Sequence, residues 1–115
     1  MENQEQQVRT ITVEEANLIR ETCKERIDLA EALTRLEKNT DFQKVVMKDY
    51  LEKEPVRLVG LLGEQNFNMG GKKAEYRDDI HEQMIGISRF SAYMRSVYSL
   101  ANQATKMLDD LNSAE

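Results

Sequence analysis

The chain has 115 residues and a formal net charge of −5, is 40% hydrophobic and 32% charged, and contains one proline, five glycines and no tryptophan. That length predicts one domain and the abundance of helix formers predicts a helix-rich one, while the acidic balance lacks the electrostatic footprint of a phosphate-backbone binder, so no direct nucleic-acid contact is expected. Cys23 has no second cysteine to pair with, which excludes an intrachain disulfide and points to a reducing compartment, and no run approaches the ~20 apolar residues that span a bilayer.

Residues 1–10, "MENQEQQVRT", show no periodicity and match neither a signal nor a transit peptide. They are expected to form a flexible tail ahead of a single helical domain over 11–112. Thr12 followed three residues later by Glu15 is a capping box, with Ile11 before it as the staple residue. From there Ile19, Cys23, Ile27, Ala30, Leu33 and Leu36 step by three or four along one face, with charged residues such as Arg20, Glu21, Lys24 and Glu25 elsewhere. The pattern predicts an amphipathic helix over 13–38, about 40 Å long at 1.5 Å per residue. "KNTD" at 38–41 interrupts it, and Asn39 or Thr40 is suited to cap the next helix, with Asp41 at its positive end. Phe42, Val45, Val46, Tyr50 and Lys53 then recur at helical spacing and predict a helix over 41–54.

Pro55 is predicted to end or kink that helix, because proline lacks the N–H and disfavours a helical residue before it. It is also suited to open a short new helix. Val56, Val59 and Leu62 would form that helix's apolar face, with Gly60 and Gly63 available for close backbone approach or a C-cap. "GEQNFNMGGKK", 63–73, is rich in turn formers and predicts a loop. In the last segment Ile87, Phe90, Met94, Val97, Ala101, Ala104, Leu108 and Leu111 alternate spacings of three and four, a heptad seam that Tyr76 and Ile80 extend backward with Gln83 as the polar exception. A helix over 73–112 would be about 60 Å long. The expected fold is therefore all-α: an elongated antiparallel helical bundle with a coiled-coil-like long C-terminal helix and a two-part short segment in the middle. A seam longer than the first helix predicts self-association, most simply as a homo-oligomer of two.

The groups that carry chemistry do not converge in the sequence. Asp78 and His81 have acid-x-x-His spacing, but a di-metal bundle needs a second such pair and the chain has no other histidine. Cys23 lies on the apolar seam and reads as a small buried hydrophobe. Gly60, Gly63, Gly70 and Gly71 lack the Gly-Lys-Ser/Thr ending of a phosphate loop, and Lys72 and Lys73 read as a helix start with weak anion character. Glu21 with Glu25 and Asp78 with Glu82 lie on charged helix faces with no partner that would split their protonation. Neither catalytic, cofactor-binding nor metal-ligating residues are expected, and the chain does not read as an enzyme. Tyr93 and Tyr98 flank the seam with Arg89 and Arg95, so Ile87, Phe90, Met94, Val97, Tyr93 and Tyr98 are the candidate interaction residues.

The stretch "ERIDLAEALTRLEKNTDFQKVVMKDYLEKEPVRLVGLL", 25–62, covers about a third of the chain. In "LAEALTRLEKN", "DFQKVVMKDYL" and "VRLVGLL" it resembles short helical proteins encoded by tailed bacteriophages. The resemblance implies a phage product made in the bacterial cytoplasm, with packing signatures in common and no catalytic residues to carry over. The resulting expectation is a non-enzymatic helical interaction protein that assists or joins virion assembly through its long C-terminal helix. The alternative is an acidic inhibitor of a host nucleic-acid-processing enzyme.

Overall fold

The computed structural model describes residues 11–64 and 73–114, the side chains of Lys73 and Ala114 excepted. Among these residues the chain is helical with no strand, so the all-α expectation and the long last helix are met. In chain order the elements are α1 (Val13–Glu37), α2 (Thr40–Phe42), a π-helical segment (Gln43–Lys53), α3 (Glu54–Glu64) and α4 (Lys73–Ala114). The expected tail over 1–10 lies outside the described residues, as does 65–72, which holds most of the expected loop and the Gly70–Gly71 pair.

Both predicted helix starts are made as the residues suggest. At α1 the Glu15 N–H donates to Thr12 Oγ1 at 3.0 Å, and the Thr12 N–H donates back to Glu15 Oε2 at 3.4 Å. Two of the N–H groups that a helix start leaves unpaired are thereby satisfied. Asn39, rather than Thr40, caps α2: its Oδ1 accepts from the Asp41 and Phe42 N–H groups, each at 3.0 Å.

The middle segment departs from expectation. Pro55 neither ends nor opens a helix but is the second residue of α3, and Glu54 before it is helical at φ −61°, ψ −43°. The π turns ahead of it supply the reason. The Glu54 N–H reaches back five residues to the Asp49 carbonyl, a wider turn that opens the helix where an α turn would set the proline ring against the carbonyl four residues earlier. The wider turn also changes which residues face inward. Phe42, Met47 and Leu51, spaced five and four, are half-buried, whereas Val45 is exposed. In α3 the expected face is wrong as well: Val56 and Val59 are 72% and 54% exposed, and Leu58 is fully buried instead. A Cβ added at Gly60 or Gly63 would meet nothing within 4 Å, so neither glycine serves a close approach within the chain.

The chain divides into two compact units, one of Met1–Ala32 with Val97–Glu115, the other of Leu33–Ser96. In the second unit Leu58, Ile80 and Ile87 form the core, with Leu51, Leu61, Leu62, Tyr76 and Met84 packed against it. Met84 takes the layer that the seam spacing left to Gln83, which is exposed and donates to Asp79 Oδ2 at 3.0 Å. In the first unit the buried positions are Cys23, Ala30, Val97, Ala101 and Ala104, all small or β-branched. The seam of α4 faces inward at every expected heptad position described except Phe90, which is exposed.

Candidate interaction surface

The six candidate interaction residues separate into two groups. Ile87, Met94 and Val97 are at most 7% exposed and belong to the interior of the fold. Tyr98 is half-buried, while Phe90 and Tyr93 are exposed. The seam residues are thus covered within the chain, and what a partner meets on this part of α4 is aromatic. Within the second unit the Phe90 ring meets Tyr50 edge-on, with centroids 5.9 Å apart and planes at 83°. Such pairs hold two rings in a fixed relation beyond the area they bury. Tyr93 stands beside them on α4, 59% exposed. Arg89 is exposed one residue before Phe90, and Arg95 Nη1 donates to Ser91 Oγ at 3.3 Å.

The first unit carries a surface that the sequence reading does not single out. Leu18, Ile19, Thr22, Cys23 and Arg26 of α1 and Met107 of α4 line an open cavity of about 290 Å³. Its floor is Cys23, 1% exposed, and its rims are Leu18 and Met107, 64% and 44% exposed. At 3.6 residues per turn Leu18 and Leu29 fall within about 20° of one another, so Leu29, also exposed, continues the α1 rim. Leu100, seven residues before Met107, continues the α4 rim in the same way and is exposed too. The signal was present as apolar residues adjoining the seam positions Ala101 and Leu108.

The remaining candidates stay apart. His81 and Asp78 are exposed on α4, and among the described residues no three His, Cys, Asp or Glu side chains group as a metal site. Glu21, Glu25 and Glu82 are exposed on helix faces, and the reading of Lys72 with Gly70 and Gly71 lies outside the described residues. One ion pair perturbs its members: Arg57 donates to both carboxylate oxygens of Glu54, with Nε at 3.0 and 3.1 Å and Nη2 also in contact. The hydrogen bonds and the adjacent guanidinium hold the Glu54 carboxyl below its ordinary range, and Glu54 in turn raises Arg57. This is an i,i+3 pair on a helix surface, with no cavity beside it to serve. No helix of the described residues is long and apolar enough to cross a membrane.

No protein-family model matches the chain, and comparisons with curated proteins and with solved structures gave no match either.

Proposed function

We propose that the chain is a non-enzymatic helical protein–protein interaction protein of a bacteriophage, acting in the host cytoplasm or the virion, which assists or joins virion assembly through α4. The observation that carries the interaction role is the exposed aromatic surface of Phe90 and Tyr93, backed by the edge-on contact with Tyr50. Exposed aromatic side chains held by a rigid helix lose little conformational freedom on binding, which is why binding energy concentrates on them. The phage assignment rests on the resemblance of residues 25–62. In this reading Phe90 and Tyr93 meet a second copy or an assembly partner, while Ile87, Met94 and Val97 hold the helix in place.

Molar mass by light scattering across protein concentration tests the reading, with Tyr93→Glu alongside the native chain. A native dimer that Tyr93→Glu converts to a monomer with unchanged helicity supports it. A chain that stays monomeric and shows the same partner capture with and without Tyr93 removes it.

A second reading, an acidic inhibitor of a host nucleic-acid-processing enzyme, is favoured by one feature. Glu14, Glu21, Glu25 and Asp28 are all exposed toward one side of α1. Its partner binding would weaken steeply with added salt.

A further inference from the structure

We infer that the groove of the first unit seats an amphipathic helix of a partner protein whose apolar ridge is flanked by Lys or Arg. This rests on reading the chain as an interaction protein and adds the chemical class of the partner. Three observations combine. The first is shape: two helices side by side present a trough, floored by Ile19 and Cys23 and rimmed by Leu18 and Met107. The second is length. Leu18 to Leu29 is eleven residues of helix, about 16 Å. In an antiparallel pair seven residues back along α4 matches seven forward along α1, so Leu100 falls at the Leu29 level. An apolar trough of about three turns is what the i, i+3, i+4, i+7 ridge of a third helix fills.

Charge is the third observation, and it selects the occupant. Along α1 the border away from the seam carries Glu14, Glu21, Glu25 and Asp28, all exposed; Asp110 is exposed on the α4 border. Against these five carboxylates stand Arg26, half-buried in the lining, and Lys106. The border is net negative, and a ridge flanked by cations meets it with opposite charge. A second copy offering its own α1 would bring the same carboxylates against themselves, which disfavours that occupant.

The test uses the full chain and a labelled synthetic helix of about 16 residues, long enough to span the groove. Leucines form its ridge and lysines its flanks. One control carries glutamate flanks, and another keeps the composition but permutes the order so that no ridge forms. Fluorescence anisotropy is expected to show saturable binding of the lysine-flanked helix and binding of the glutamate-flanked one weaker by about tenfold or more. Leu18→Glu should weaken the first by about tenfold. The paired change Glu21→Lys with Glu25→Lys keeps the apolar trough and should reverse the preference between the two flanks. Leu18, Glu21 and Glu25 are exposed, so circular dichroism should report intact helix in each variant. No saturable binding, equal binding of the permuted peptide, or an unchanged preference in the lysine variant would overturn the proposal. So would a native dimer that Leu18→Glu dissociates, because a second copy would then fill the trough. Tyr93→Glu should leave peptide binding unchanged, so failure of the groove and failure of the aromatic surface are separable.

Discussion

The two units bury different kinds of side chain. Leu58, Ile80, Ile87 and Met94 fill the interior of Leu33–Ser96, while the interior of the first unit is Cys23, Ala30, Val97, Ala101 and Ala104. Burial stabilises in proportion to the apolar area removed from water, about 25 cal/mol per Å². Large side chains in the second unit therefore remove far more surface per position than alanines do. Small seam residues let helices approach closely, but they leave larger neighbours such as Leu18 and Met107 on the rim, still exposed. One unit is built mainly to hold itself together; the other keeps apolar surface available.

Substitutions should separate these roles. The largest effect is expected from Leu58→Ala, which empties the centre of the second unit's core and should cost about 2–5 kcal/mol in urea unfolding. Ala104→Leu should cost about 1–3 kcal/mol by overpacking the first unit. Hydrogen exchange locates the damage: after Ala104→Leu, amides of residues 13–32 should lose protection before those of 54–62 do. Equal loss in both segments would mean that the units open together. Gly60→Ala and Gly86→Ala lie in helix interiors where an added Cβ meets nothing within 4 Å. Each should raise stability by about 0.5–1 kcal/mol, visible as a higher denaturation midpoint.

The smallest effect concerns pH and belongs to the second unit alone. Arg57 holds the Glu54 carboxyl below its ordinary range in the folded chain. The stabilisation is therefore fully present above the unfolded-state value of about 4.3 and is lost as pH falls through the lowered folded-state value. Glu54→Gln should make the urea midpoint slightly less sensitive to pH between about pH 6 and about pH 3, with no change in the first unit.

How far the sequence discloses this molecule depends on helix type. Thr12 and Glu15 form the expected capping box, and the α4 seam from Ile87 to Leu111 faces inward but for Phe90, because both lie in regular α-helix where 3.6-residue periodicity holds. Between Gln43 and Lys53 the turn is wider, and an α-periodic reading drifts by about one residue per turn. That drift puts Val45 outside where the spacing placed it inside. In α3 nearly every position from Val56 to Leu62 is apolar, so spacing alone gave no reason to prefer Leu58 over Val59. The candidate surface was legible for Phe90 and Tyr93. The groove was not, because a heptad reading assigns apolar residues beside a seam to the seam's own packing, whereas Leu100 and Met107 stay exposed next to alanines too small to draw them in.

The π segment also makes the middle of the chain a register device. Deleting one residue between Gln43 and Lys53, such as Lys48, would let the segment tighten to an α-helix. Everything after it would shift by one place, a rotation of about 100°. Val59 would then arrive where Leu58 now sits. Because Val56–Leu62 is apolar on nearly all sides, α3 can be buried in either setting, and the one extra residue of the π segment decides which face the molecule keeps for its core and which it shows to others.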